Sequence, residues 1–457
     1  MSDEPEQTGA RNAKLTGGSI GGHLVAQTAP MIVGVGALMS VGIIDAYFIG
    51  RLGAAQLAAV AFIFPVTTAL SSLGVGIMAG LASVVSRALG RGEDDHARGL
   101  ANLGIVLSLA VGMLFAVPLY LLRGSLFRLM QADSALLPLI DVYMQPFAFA
   151  FAVLPGMMAI NAVLRAQGAA KRSMAVLLTM AATNWVLDPI LIVGGFGFEG
   201  FGIAGAAYAT LASWTIAAVL GIALVQTTVV KVELGAIRHC IVKRDSLAIA
   251  RVAGPAAFSN AINPAGLAVL TALLASAGPA AVAGFGAGGR LQAFAVVPLL
   301  GLSGSIGAIV GQNWGAQRFG RARRALYWAG GFSLVYGLAV AALMVIFRDA
   351  LAALFTDDAE VRATLARYIS ISAWGYGGYG LCIIVNGALN AVDRAGMALA
   401  QSLARIALVM VPVAWLARPM LGADAVYFGE LAANIAGAVI AVLLVRHVLR
   451  KANESGA

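Results

Sequence analysis

The chain has 457 residues, of which 60% are hydrophobic and only 11% charged, and its mean hydropathy is +0.89. A soluble domain carries roughly 25% charged residues, so the deficit points to a polytopic membrane protein and away from water-soluble folds. The formal net charge of +9 would suit a nucleic-acid partner, but the placement of the basic residues gives it another meaning.

Residues 1–19 come first. They carry Asp3, Glu4 and Glu6 and no apolar core, so they are expected to form a disordered cytoplasmic tail and not a signal peptide. Apolar segments then fall at about 22–49, 57–88, 98–122, 136–162, 172–194, 202–228, 247–276, 281–312, 324–347, 363–389, 397–417 and 425–447. Each is long enough to cross a ~30 Å hydrocarbon core as a helix. Barrel strands would show short alternating segments instead. The expected fold is an all-α integral membrane protein with twelve transmembrane helices in two pseudo-symmetric six-helix bundles. One lobe covers 20–228, a basic linker 229–246, the second lobe 247–447, and a cytoplasmic tail 448–457.

With the N-terminus inside, 21 Lys and Arg residues fall in loops and tails on the cytoplasmic side and 7 on the outer side, while Arg290 and Arg405 lie within spans. This bias places both termini in the cytoplasm by the positive-inside rule. It also accounts for the basic charge with no nucleic-acid partner. Cys240 and Cys382 show no pair spacing. His23, His96, His239 and His447 lie near segment ends, and none forms a metal-ligand pattern.

The two lobes repeat one another. "ALGRGEDDHARG" (88–99) follows the second span and "NWGAQRFGRARR" (313–324) the eighth, matching Gly90 to Gly315 and Arg98 to Arg323 at an offset of 225. Asn161 falls on Asn386 at the same offset, and "GIAGAAYA" (202–209) resembles "GADAVYFG" (422–429) at an offset of 220. An even offset of six spans gives parallel repeats about an axis along the membrane normal, with a substrate cleft expected between the halves.

Against this background the acids inside spans stand out, because a carboxylate near the bilayer centre costs about 2.5–3.5 kcal/mol. Asp45 lies about six residues, or ~9 Å, from the outer end of span one. Asp188 lies at a similar depth in span five, and Asn184 shares its helix face four residues earlier. Such an oxygen-rich cluster suits Na+. Two adjacent carboxylates equally suit a proton carrier. Leu270 stands where the repeat places Asp45, so the halves differ in charge. Glu430, near the outer end of span twelve, is expected to play a structural part, paired with Arg290 or in solvent.

"DAYFIGRLG" ending span one, "ALGRGEDDHARG" after span two, "LRAQGAAKRSM" after span four, "NWVLDPILI" in span five and "GIAGAAYAT" in span six together resemble the multidrug and toxic compound extrusion (MATE) transporters, and most closely their DinF-type branch. The resemblance covers roughly residues 20–447. It implies cation coupling through Asp45, Asn184 and Asp188, joined by Thr210 and Tyr143, and a bending point at Pro30. It implies no enzyme activity, no cofactor and no metal beyond a coupling Na+ or H+. The expected cargo is amphipathic, often cationic organic compounds, exported by alternating access from a monomer in a bacterial or archaeal cell membrane.

The alternative is a flippase for lipid-linked oligosaccharides or lipids, which shares the architecture but usually adds spans and a cationic central cavity. An intramembrane enzyme would need a nucleophile–base pair or metal ligands within the spans, and no histidine lies deep in one. A channel would move drug and cation without coupling.

Overall fold

The computed structural model describes residues 12–195 and 197–455, and the outermost part of the expected N-terminal tail, residues 1–11, lies outside them. The first lobe consists of α1 (Ile20–Gly50), α2 (Ala54–Arg91), α3 (Asp94–Leu129), α4 (Leu137–Ala166), α5 (Ala170–Asp188) and α6 (Ile203–Gln226). A 3-10 turn over Leu234–His239 leads into the second lobe. That lobe opens with α7 (Val242–Ala275), α8 (Pro279–Ala295), α9 (Val297–Gly315) and α10 (Phe319–Ile346). It continues through α11 (Arg348–Phe355), α12 (Ala359–Ser372) and α13 (Tyr376–Ala391), and ends with α14 (Ala395–Leu403), α15 (Val411–Leu421) and α16 (Asp424–Ser455).

Eleven of these stretches are long and apolar enough to span a membrane, and the pair α8–α9, bent by 44°, makes a twelfth. All twelve overlap the expected segments. The bend falls just before Pro298, whose ring removes a backbone donor and crowds the carbonyl of Phe294. Two π-helical turns interrupt the fifth span of each lobe, at Pro189–Val193 and at Ala404–Met410. Pro189 opens the first and Pro412 follows the second. By contrast α1 runs unbroken through Pro30.

Each lobe has its own core. Buried Leu81, Phe151, Leu154, Met157 and Ile160 centre the first. Leu270, Phe285, Tyr368, Tyr376 and Tyr427 centre part of the second. A further cluster joins Leu15, Ile20 and Leu24 to Ile306, Ile309 and Val448, so both ends of the described chain meet at one end of the bundle. Most basic loops lie there too, and it is called the basic end below.

The lobes meet in that half of the molecule. Ser83 Oγ donates to the Asn390 carbonyl at 2.6 Å, and Arg87 Nη1 pairs with Asp393 at 3.4 Å. Gln312 Nε2 donates to the Ala166 carbonyl at 2.7 Å. Nearer the middle, Asn260 Nδ2 donates to Ser72 Oγ at 3.3 Å. A methyl built on Gly76 would lie 2.6 Å from Ala257 Cβ, so small residues set the closeness of α2 and α7. Among the described residues no hydrogen bond or ion pair joins the lobes between the middle and the opposite end.

Three expectations change. Residues 12–18 are not a loose tail. The Leu15 N–H donates to Gln312 Oε1 at 3.0 Å, Asn313 Nδ2 to the Leu15 carbonyl at 3.0 Å, and Arg318 Nη1 to the Thr16 carbonyl at 2.8 Å. Asn12 Nδ2 reaches Asp94 Oδ2 at 2.5 Å, while Leu15 packs against Gly168. The segment is therefore a strap across both lobes, held because Leu15 is an apolar anchor between polar partners. The linker is shorter than expected, since α7 starts at Val242. The expected C-terminal tail begins as the last turns of α16, which continues to Ser455.

Candidate functional site

The site residues come from three helices of the first lobe. Asp45 sits on α1, five residues before its end, and is half-buried. Asp188 is the last residue of α5 and is fully buried. Pro189 follows it and opens the π turn, a distortion that frequently marks functional positions. The two carboxyl groups lie within hydrogen-bonding reach of each other. Asn184, one turn earlier on α5 and also buried, turns the end of its side-chain amide toward Asp188, 2.6 and 3.2 Å from the two carboxylate oxygens.

Tyr143 on α4 faces both acids. Its ring stacks on Phe147 at 5.8 Å between centroids and packs beside Ile49 and Ile192. Apolar walls from α1, α4, the π turn and α6 thus enclose the acids. Thr210 is buried on α6 but donates to neither carboxyl. The structure therefore brings together Asp45, Asp188, Asn184 and Tyr143, and leaves Thr210 at one remove. Two carboxyls in contact hold a shared proton or one cation well and two negative charges badly.

Glu430 departs from expectation. It is neither in solvent nor paired with Arg290: it is 3% exposed, and its Oε1 accepts from Gln292 Nε2 at 2.5 Å. Arg290 is exposed on α8. The repeat offered a signal for Glu430's surroundings, taken up below. Nothing in local sequence marked Gln312 as the residue that bridges the strap, α4 and α9.

Outside the spans, His96, Cys240 and Asp245 gather with ligand atoms within 4.8 Å of one another. His96 Nε2 lies 3.2 Å from Asp245, which also accepts from the Ile241 N–H at 3.0 Å. These contacts pin the linker to the first lobe. Burial, with Asp245 nearby, pushes the Cys240 thiol up to about 11.

A bundle of twelve apolar spans in two lobes, with paired acids buried in one of them, defines a multi-pass membrane transporter. The MatE family model matches residues 30–190 and 255–416, one match in each lobe, and the chain belongs to the MatE family. Its members are transporters and not enzymes. The chain is 35% identical over 408 residues to a FAD transporter of Shewanella oneidensis, covering 88% of each. It is 25% identical over 430 residues to the multidrug export protein MepA of Staphylococcus aureus, covering 91% of each. Among solved structures it matches the bent form of the Vibrio cholerae MATE transporter VcmN with TM-score 0.90 and 30% identity, over 95% of this chain and 98% of that one. It matches an outward-facing multidrug resistance MATE transporter with TM-score 0.92 and 23% identity, over 98% of this chain and all of that one.

Proposed function

We propose that the protein is a secondary active antiporter that exports amphipathic organic compounds against a cation gradient. The observation that carries this reading is the contact between Asp45 and Asp188 in an apolar enclosure. It suits a shared proton or one Na+ between the carboxyls, either of which would offset two negative charges held close together. Among the described residues, hydrogen bonds and ion pairs join the lobes only from the basic end to the middle, which suits the outward-facing member of an alternating-access pair. The basic bias of the loops supports a cytoplasmic position for that end and for both termini, in a cell-membrane protein that we read as a monomer.

Cargo is the finer question. MepA's name supports multidrug export, and the Shewanella relative's supports FAD. The Shewanella relative is reason to test an anionic cargo alongside cationic ones. The deciding experiment reconstitutes the protein in vesicles and imposes pH and Na+ gradients separately while following ethidium and FAD. Flux driven by either gradient alone supports the reading, and the gradient that drives it names the coupling ion. Equal flux with no gradient would make the protein a channel, and flux of lipid-linked sugars instead would make it a flippase.

A further inference from the structure

The repeat carries the surroundings of the acid pair into the second lobe. The offset of 225 takes Asp45 to Leu270 and Tyr143 to Tyr368, and the offset of 220 at the last spans takes Thr210 to Glu430. Leu270 and Tyr368 do share one buried cluster, together with Phe285, Tyr376 and Tyr427. Tyr368 OH lies 3.5 Å from Glu430 Oε1. Glu430 stands six residues into α16 from its outer-side start, close to the depth of Asp45, five residues from the end of α1. The image of the first lobe's site therefore exists, with its carboxylate moved from the first and fifth helices to the sixth.

This pocket is incomplete. Glu430 Oε2 and Tyr427 OH are buried and find no hydrogen-bond partner among the described residues. Buried polar atoms are rarely left so. Among the described residues no ion pair reaches the carboxyl. Arg405, the cation on the π turn of the fifth span, instead donates to Asn434 Oδ1 at 2.8 Å and to Asn263 Oδ1, and its guanidinium lies 4.8 Å from the Tyr379 ring centroid. Arg367 is taken by Asp424. The other groups facing Glu430 are neutral: Gln292 on α8, Tyr368 and Ser372 on α12, and Tyr376 on α13. Arg405 thus acts on Glu430 only through space, and a buried acid with one free oxygen and no direct ion pair has room for one more positive charge.

We propose that Glu430 forms a second cation-exchange site, in the C-terminal lobe, which binds one monovalent cation with Tyr368, Ser372 and Tyr376, while Gln292 holds the carboxyl in place. The chemistry shared by H+ and Na+ is a single charge on an oxygen cage. The role of such a site in transport rests on the antiport reading above, whereas its occupancy is measured without transport.

The test uses purified full-length protein in detergent and weak buffer. Protons bound per chain are counted by titration with and without NaCl, with choline chloride as the control. In an Asp45→Asn, Asp188→Asn variant, Glu430 is the remaining candidate. That variant should exchange about one more cation per chain than the triple variant that also carries Glu430→Gln. A proton count indifferent to NaCl identifies H+, and proton release on adding NaCl identifies Na+. Tyr368→Phe keeps the carboxyl and the packing, and should shift the midpoint severalfold in cation concentration. If the triple variant does not fold, Glu430→Gln alone is compared with the unsubstituted protein, with the same loss of one cation expected. Identical titrations with and without Glu430→Gln would overturn the proposal. Identical titrations of the double variant and the unsubstituted protein would instead overturn the N-terminal site, so the two failures are separate.

Discussion

Gly90 and Gly315 hold the same place in the two repeats, and they pack against each other across the lobe boundary. A methyl built on Gly90 would lie 3.0 Å from Gly315 Cα and would also collide with the Gln312 carbonyl, while one on Gly315 would collide with the Arg87 carbonyl. The pseudo-twofold axis therefore passes close to this contact, and closure at the basic end depends on two absent side chains. Overpacking a tight contact costs about 1–3 kcal/mol, which is about five- to 150-fold in an equilibrium. Gly90→Val should shift the protein toward opening at the basic end. Spin labels at Lys171 and Arg324 should then show a longer distance population than in the unsubstituted protein; an unchanged distribution would remove this contact from the closure.

The strap should act on the same equilibrium. Leu15→Asp puts a charge where the side chain is 2% exposed, and an unpaired buried charge is strongly disfavoured. The segment should detach, and trypsin should then cleave at Lys14 many times faster while the helical core stays intact. Cleavage at the original rate would mean that the backbone bonds to Gln312, Asn313 and Arg318 hold the strap without its anchor.

For the acid pair, Asp45→Asn keeps size and hydrogen bonding and fixes the position as neutral. The variant should remain monodisperse with a melting temperature equal to or above that of the parent, since a buried charge is removed. Gradient-driven export should be lost, and lost equally in Asp188→Asn. Normal export by either variant would sink the coupling assignment, and an unfolded Asp45→Asn would make Asp45 a structural partner.

Cys240 reports both topology and local environment. With Cys382→Ser in place, an impermeant maleimide should label inside-out vesicles and spare intact cells. The thiol pushed up to about 11 is protonated at neutral pH. Only the thiolate reacts, so labelling should rise about tenfold per pH unit between roughly pH 7 and 10. A rate that levels off near pH 9 would mean an ordinary, open thiol.

Much of the architecture was legible because membrane spans announce themselves: long apolar runs, basic loops on one side and an offset of 225. Asp45, Asn184 and Asp188 were legible for the related reason that acids are scarce in such runs, and helix spacing alone brings the last two to one face. The strap was not. Its residues 12–18 carry one apolar anchor, Leu15, and their order comes from Gln312, Asn313 and Arg318, some 300 residues away. Glu430 was misplaced for a similar reason. Its partner is Gln292, two positions from the Arg290 that charge matching suggested, and on a helix a two-residue step turns a side chain to another face. Thr210 showed the limit of depth matching, which puts residues at one level without bringing them into contact.

The strap also has a consequence for how the protein is made. Leu15 leaves the ribosome early, yet its hydrogen-bond acceptor, Gln312, comes 297 residues later. At about 5–20 residues per second the segment must wait roughly 15–60 s for α9 to be synthesised. Docking can follow only after the eighth of the twelve membrane crossings has been made, so the strap is a late joint to close in biogenesis, and its protection from protease marks a chain whose two lobes have been assembled around each other.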